Sequence, residues 1–183
     1  MPGAGRASVI SRDREYARDA MLGREYPEQN CSIARTLEIV GERWTLLILR
    51  EAFVGTTRFD RFREHLGIAR NILQSRLTLL VDEGLIARRA YQDRPPRFDY
   101  VLPEAGADLL PVMLALQQWG DRHRAPDGAP TLILHRGCGG AVTPVLTCEG
   151  CGATALTTGD LEIRFGPGVL PEQGRPGELV TAA

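Results

Sequence analysis

The sequence contains no lysine, so all 22 of its basic residues are arginine, and only 6% of its 183 residues are aromatic. No apolar run approaches the ~18 residues that a membrane-spanning helix needs, and the first residues lack the apolar core of a signal peptide. The formal net charge of −1 excludes a global field that attracts nucleic acid or anionic membrane. We therefore expect a cytoplasmic protein without a membrane partner, in which any nucleic-acid site is a local basic patch.

The composition, 43% hydrophobic and 25% charged, is typical of a folded globular protein. The length fits one domain with a small appendage better than two full domains. Changes in composition along the chain predict five segments: a disordered N-terminus at 1–11, a main domain at 12–124, a linker at 125–131, a Cys-rich module at 132–165 and a disordered tail at 166–183.

Within the main domain, apolar residues recur with the period of a helix and are separated by glycines. Helices are predicted over 12–22, from a cap at Asn30 or Ser32 to Gly41, from Trp44 to near Gly55, over 58–66 and over 72–80. Two short strands at 85–91 and 98–102 follow, joined by a protruding turn that contains two prolines. A further helix is predicted over 104–123. The order predicts a mostly helical winged helix-turn-helix fold with a small β wing.

The helix before the wing is the candidate for contact with DNA. Its buried side is predicted to consist of apolar residues, namely Ile72, Leu73, Leu77 and Leu80. The opposite side then carries short polar residues at helical spacing, namely Asn71, Gln74, Ser75 and Thr78. Asparagine and glutamine amides can bind adenine, and arginine can bind guanine, when such a helix enters the major groove.

Arginines concentrate around this helix and the wing. Residues 58–97 contain nine arginines and five acidic residues, a net charge of +4 in a chain of net charge −1. Five of them are candidate DNA contacts: Arg58, Arg70, Arg76, Arg94 and Arg97. The alternatives are a solvated helix face with an ordinary charged hairpin, and a protein-interaction adapter in which the arginines only confer solubility.

Seven short motifs occur in a fixed order within residues 31–123. They are Cys31-Ser32-Ile33, residues 41–49, Arg58-Phe59 with Gly67-Ile68, residues 74–77, residues 82–86 and residues 95–100. This series resembles the HxlR family of bacterial transcription regulators. The resemblance implies a dimeric winged helix-turn-helix protein, associated with the nucleoid, with its terminal helices at the dimer contact. One departure is Ala69, where the family has a serine that can cap the helix or contact phosphate.

The helix over 104–123 has an apolar arc too wide for a single packing surface, and Met113, Leu116 and Trp119 lie in it. A second copy of the chain could cover the additional surface. Two recognition helices would then meet successive major grooves, ~34 Å apart, on an inverted repeat. The alternative is that these residues belong only to the core of one chain.

Cys31 stands apart from the other three cysteines, at the predicted start of a helix. The positive end of a helix dipole lowers the pKa of a thiol and favours the reactive thiolate. The family resemblance implies a redox switch at this position that senses oxidants or electrophiles. The alternative is a small buried apolar residue, which is how most free cysteines behave.

The remaining cysteines form two similar turns, His135-Arg-Gly-Cys138-Gly and Cys148-Glu-Gly-Cys151-Gly. Three thiolates and one imidazole match the tetrahedral preference of zinc, and this segment resembles a zinc ribbon, a small β-rich module. Four protein ligands leave no open position for water, which predicts a structural zinc rather than a catalytic one. Glu149 is an alternative to His135 as the fourth ligand, and the cysteines could also be reduced neighbours without metal.

Together these patterns predict a transcription regulator, not an enzyme, since neither an open metal position nor a free acid–base pair is apparent and no other histidine has a nucleophile partner. We expect it to bind double-stranded DNA as a homodimer, to recognise an inverted-repeat operator, to act as a repressor and to respond to an oxidant or a small molecule.

Overall fold

The computed structural model describes Tyr26 and residues 30–172 and 174–180. The predicted disorder of 1–11 and the predicted helix over 12–22 lie outside the described residues. No helix in the described part of the chain has the length and apolar character needed to cross a membrane.

Four helices, a hairpin and two further helices follow one another in the described part of the chain. Their bounds are α1 Ser32–Val40, α2 Arg43–Phe53, α3 Phe59–Leu66, α4 Arg70–Asp82, β1 Ala87–Asp93, β2 Pro96–Val101, α5 Glu104–Ala107 and α6 Leu110–Arg124, with a short 3-10 helix at Thr158–Asp160. The strands pair antiparallel as a two-stranded sheet. This is the mostly helical architecture with a small wing that the sequence predicts.

One apolar core holds α1 to α4 and the start of the wing together. Its buried members are Val40, Ile48, Leu49, Phe62, Ile68, Leu73, Leu77, Leu80 and Ile86. Phe62 meets Tyr100 of β2 edge-on, with ring centroids 6.4 Å apart, so the wing packs on α3 through an aromatic pair. Ile72, predicted to be buried, is instead exposed, because the buried side of α4 is the narrower stripe of Leu73, Leu77 and Leu80.

Two helix ends set the geometry of the α3–α4 turn. Gly67 ends α3 in the left-handed conformation, with φ of +60°, which a residue with a side chain adopts only with strain. After this turn α4 begins at Arg70, with Ala69 at its N-cap.

The wing is tighter than the sequence predicts. Gln92 pairs with Arg97 and Asp93 with Pro96, so the strands continue through most of the predicted turn and leave Arg94 and Pro95 at its tip. The Gln92 amide donates to the backbone carbonyls of both tip residues, which closes the turn. On the other side of β2, the Tyr100 amide donates to the carbonyl of Thr57 and ties the wing to the chain before α3.

The helix predicted over 104–123 is two helices, and this prediction was wrong at 108–109. α5 ends at Ala107, and α6 begins at Leu110 with Pro111 in its first turn. Proline lacks the N–H that a helix interior requires but fits the first turn, where that N–H has no partner within the helix.

The described part of the segment after the linker contains isolated antiparallel bridges instead of extended strands. They pair Leu134 with Ala141, Thr147 with Thr154 and Arg164 with Leu179. The zinc-ribbon fold is therefore not established by the described residues. The bridge at 164–179 and hydrogen bonds from Gly177 to Phe165 and from Val180 to Ile163 give the described part of the tail a defined pairing, where the sequence predicts disorder.

Glu51 is the buried acid that links α2 to α3. One carboxylate oxygen lies 2.9 Å from Nδ1 of His65, and the other accepts from Arg50 at 2.8 Å. Burial raises the pKa of Glu51, but the hydrogen bonds from His65 and Arg50 lower it by more, so its pKa lies below the ordinary value. The ionised form therefore stabilises the folded state.

We expect Glu51→Gln to lower the free energy of unfolding by roughly 1–3 kcal/mol near pH 7, because it replaces hydrogen bonds to a buried carboxylate. A lowered folded-state pKa contributes stability above the unfolded pKa. The difference between parent and variant should thus shrink as the pH falls below about 4.3 and through the folded-state pKa. Urea denaturation at a series of pH values measures both effects.

Glu64→Gln is the matched control on α3, since the Glu64–Arg61 pair lies on the surface with both side chains 65% exposed. Its loss should change stability by less than about 1 kcal/mol. Equal effects of the two substitutions would contradict the role assigned to Glu51.

Candidate nucleic-acid interface

The outer face of α4 presents polar side chains to solvent. Asn71, Gln74, Ser75 and Thr78 are all exposed, at the spacing of one helical face. This exposure follows from the burial of Leu73, Leu77 and Leu80 on the opposite side. The placement predicted for these side chains is therefore found, and their contact with DNA remains a prediction.

A basic cleft of about 450 Å³ lies between the first turns of α4 and the wing. Four arginines line it, and Gln74 of α4 lies beside them. The arginines are Arg58 before α3, Arg70 at the start of α4, Arg88 on β1 and Arg97 on β2. The sequence separates them by as many as 39 positions, and the packing of the wing on α3 brings them together.

Two aromatic rings and one acid orient two of the four arginines of the cleft. The Arg58 guanidinium lies 3.3 Å from the centroid of the Tyr91 ring, and its Nε forms an ion pair with Asp99 at 2.9 Å. Arg70 lies over the Phe59 ring at 5.2 Å. Stacking on a ring restricts a guanidinium without removing its charge, so these side chains are partly pre-ordered.

Arg76 does not belong to the cleft, although the sequence predicts it as a DNA contact. Its side chain is only 13% exposed, and Nε lies 3.3 Å from Glu42 in an ion pair outside hydrogen-bond geometry. Glu42 also caps α2 by accepting from the amide of Trp44. The position of Arg76 indicates a structural link between α4 and α2. Arg94, also predicted, is exposed at the wing tip.

The sequence alone does not identify Tyr91, Phe59 and Asp99 as parts of this site. Strand alternation alone would place Arg89 and Tyr91 on one face. The register of the hairpin shifts between Ala90 and Gln92, however, so the sequence does not reveal which arginine stacks on the ring. Asp99 is 8% exposed and lies near two arginines, Arg58 and Arg89. Only the folded wing shows that this acid holds a basic residue in place.

Cys31 occupies the N-cap of α1, between the two residues predicted to cap it, and its side chain is exposed. Residues 163–166, Gly168 and Val169 of the C-terminal segment line the same open cleft as Cys31. The exposed side chain of Cys31 does not fit the alternative that this cysteine is a small buried apolar residue. A redox role for Cys31 remains a prediction.

The predicted zinc ligands form two separate pairs. His135 Nδ1 lies 3.4 Å from Cys138 Sγ, and all four cysteines are unpaired thiols. Backbone N–H groups of Cys151 and Gly150, and a hydrogen bond with the Cys151 thiol, lower the pKa of Cys148. Within 30–172, no three His, Cys, Asp or Glu side chains converge on a common metal-binding point. Zinc binding remains a prediction.

The protein has the features of the winged helix-turn-helix class of DNA-binding proteins. These features are the helix pair α3–α4, the exposed polar face of α4 and the adjoining wing with its basic cleft. More narrowly, the chain belongs to the HxlR-like helix-turn-helix family, whose sequence model matches residues 39–127. It is a transcriptional regulator and not an enzyme, as its relatives also indicate.

An uncharacterized HTH-type transcriptional regulator of Mycobacterium tuberculosis is 46% identical over 138 residues, which cover 75% of this chain and 87% of the relative. YdeP of Bacillus subtilis, a regulator of the same type, is 32% identical over 58% of this chain and 87% of its own length. Among solved structures, PA1607, a candidate transcription factor, matches with a TM-score of 0.67 and 34% identity over 74% of this chain and 95% of its own. PA1374 from Pseudomonas aeruginosa matches with a TM-score of 0.57 and 38% identity, over 78% and 97% of the two chains.

We expect Ala69→Ser to stabilise the fold, because Ala69 is the N-cap of α4 and provides no side-chain hydrogen bond to the helix. Its extended backbone, with φ of −63° and ψ of 141°, already suits a capping serine. The expected gain is roughly 0.5–2 kcal/mol in the free energy of unfolding, measured by urea denaturation.

Ala69→Gly is the companion variant, since glycine can occupy an N-cap but has no side-chain acceptor. A serine variant no more stable than the glycine variant would show that the α4 amides do not need the hydroxyl.

Proposed function

We propose that the protein binds an inverted-repeat operator as a homodimer and represses transcription by occluding the promoter. The single observation that carries this proposal is the exposed polar face of α4 beside the basic cleft. Asn71, Gln74 and Ser75 supply the specific contacts, and the arginines of the cleft and the wing supply the contacts with phosphate.

The chemistry of the α4 face supports direct recognition of bases. An amide side chain both donates and accepts, so Gln74 and Asn71 can each make two hydrogen bonds to adenine in the major groove. Arg70, at the N-terminal end of the helix, has the fork geometry that fits guanine. N-terminal residues of a recognition helix make such contacts because that end enters the groove.

The wing supports binding through the backbone of the duplex. Arg94 at its tip and Arg97 at the cleft extend the positive surface away from α4. Each phosphate contact releases counterions and adds affinity without selectivity. This division predicts different effects of substitution at Gln74 and at Arg94.

The surface of α6 supports the homodimer. None of its 15 residues is fully buried, although the helix contains valine, methionine, leucine and tryptophan. Val112, Leu116 and Trp119 lie on one helical face and are exposed, Trp119 to 56%. A helix that is apolar over so wide an arc requires a second surface to cover it. If that surface is a second copy of the chain, the dimer can present two copies of α4 to one duplex.

Regulation by an oxidant or an electrophile would act at Cys31, which is exposed at the start of α1. This part of the proposal rests on the position of the thiol alone. A small-molecule effector is the alternative signal.

We expect Gln74→Ala to change the base preference, because it removes the amide that pairs with adenine. Arg94→Gln should weaken binding to all sequences. It should reduce the slope of log K against log salt by about one for each phosphate that Arg94 neutralises, or about two per dimer. Selection of bound fragments from random duplexes, followed by salt titration of the selected site, measures both effects.

Arg164→Gln is the matched control, since Arg164 lies in the C-terminal segment and pairs with Glu162. It should leave the slope unchanged. Binding of the parent protein without selection of an inverted repeat, or with a flat salt dependence, would overturn the proposal and favour the protein-interaction adapter.

We expect the double variant Leu116→Asp/Trp119→Asp to be monomeric, because charged groups on the shared face cannot be desolvated without partners. Sedimentation at micromolar concentration should show a dimer for the parent and a monomer for the variant. Operator affinity should fall with the loss of the second α4.

Leu161→Asp is the control, because Leu161 is similarly exposed, at 51%, but belongs to the C-terminal segment. It should remain dimeric. A monomeric parent protein would remove the twofold arrangement on which the inverted repeat depends.

A further inference from the structure

The two Cys-containing turns of the C-terminal segment have the same backbone conformation. In the first, the amide of Gly139 donates to the carbonyl of His135 at 2.8 Å, and in the second the amide of Gly152 donates to the carbonyl of Cys148 at 2.9 Å. Both glycines have φ of +72°, the left-handed region that a side chain disfavours. Each turn is therefore a formed knuckle, with its two candidate ligands at positions one and four.

Each knuckle is also closed by its own short antiparallel bridge. Leu134 pairs with Ala141 around the first, and Thr147 pairs with Thr154 around the second. Five residues, 142–146, connect the two bridges. Two like hairpins in tandem are the arrangement in which paired ligands from both knuckles can reach one ion.

In the first knuckle, a backbone N–H group points at the cysteine sulfur. The amide of Gly140 donates to Cys138 Sγ at 3.4 Å. A donor placed in this way stabilises thiolate sulfur, the form that binds metal ions. A turn that only reversed the chain direction would not require it.

The segment has no apolar core that could hold it together. Within the described residues 131–172 and 174–180, no side chain is fully buried. Its larger apolar residues remain partly in solvent, with Leu132 67% and Ile163 68% exposed. A module of this size that buries so little needs a cross-link for independent stability. All four cysteines are unpaired thiols, so no disulfide provides one.

We propose that His135, Cys138, Cys148 and Cys151 together bind one zinc ion per chain, and that this ion joins the two knuckles. The donor set fits the ion, since three thiolates and one imidazole are a standard structural zinc set. The described residues hold the four ligands as two pairs and not as one cluster. The role of the ion is therefore to draw together two halves that the backbone has already formed.

The four protein ligands make this a closed, structural site. Its free energy of binding contributes to the folding of the module, because the unfolded segment does not hold the ligands in place. The end of the linker that precedes the module contacts the proposed dimer helix, since the Gln117 side chain of α6 donates to the carbonyl of Thr131 at 2.8 Å. This inference does not depend on DNA binding and can fail or hold independently of it.

The test is titration of the full-length, metal-stripped and reduced protein with Co²⁺, followed by displacement with Zn²⁺. We expect one Co²⁺ per chain, with thiolate charge-transfer absorption in the near ultraviolet and the intense visible bands of a tetrahedral ion. Zn²⁺ should abolish these bands. Binding should also make residues 131–180 more resistant to limited proteolysis and leave the resistance of 31–124 unchanged.

Variants distinguish the four-ligand site from binding at one knuckle. Cys138→Ser in the first knuckle and Cys148→Ser in the second should each reduce the charge-transfer absorption and weaken binding. His135→Cys should retain tetrahedral binding and increase the charge-transfer absorption. His135→Ala should weaken the binding of the ion. Cys31→Ser is the matched control and should bind as the parent does.

Several results would overturn the proposal. They are the absence of tetrahedral cobalt bands in the parent, a stoichiometry of one ion per two chains, and unchanged binding when either knuckle loses its cysteine. Weaker binding by Glu149→Gln with unchanged binding by His135→Ala would assign the fourth position to Glu149 and contradict the proposed ligand set.

Discussion

The burial of one narrow stripe of α4 is the constraint on which the interface depends. Leu73, Leu77 and Leu80 belong to the core that Ile48 and Phe62 also build. Because side chains around a helix are fixed relative to one another, burying this stripe directs Asn71 and Gln74 outward. The exposed position of Ile72, at the edge of the stripe, shows how narrow the buried side is. The polar side chains proposed to read DNA and the apolar side chains that stabilise the fold thus lie on opposite sides of one helix.

The charge distribution explains how a protein of net charge −1 can present a basic surface. Acids near the interface hold arginines in position, as Asp99 holds Arg58 and Glu42 holds Arg76. These pairs serve different purposes. Arg58 keeps its guanidinium at the cleft, stacked on Tyr91, whereas Arg76 is largely covered and links α4 to the cap of α2. A count of arginines therefore overstates the number that can reach a phosphate.

The chain contains two parts that are stabilised by different forces. The winged helix closes around apolar side chains, as its buried core shows. The described C-terminal residues have no such core and instead form local turns around cysteine and histidine. The free energy that hydrophobic burial contributes is proportional to the apolar area removed from water. The C-terminal part buries little apolar area, so it gains little stability in this way. A bound ion is the kind of interaction that can replace hydrophobic burial.

The sequence by itself determined the order of elements, the polar face of α4 and the two knuckles, because apolar periodicity, glycine position and ligand spacing are local properties. It also indicated the HxlR-like family. Only the tertiary structure decided that Arg76 pairs with Glu42 and that Tyr91 and Asp99 orient Arg58. Those outcomes depend on contacts between residues far apart in sequence, such as Arg58 and Asp99, which a local pattern cannot resolve. The packing of the wing on α3 selects among arginines that look equivalent along the chain.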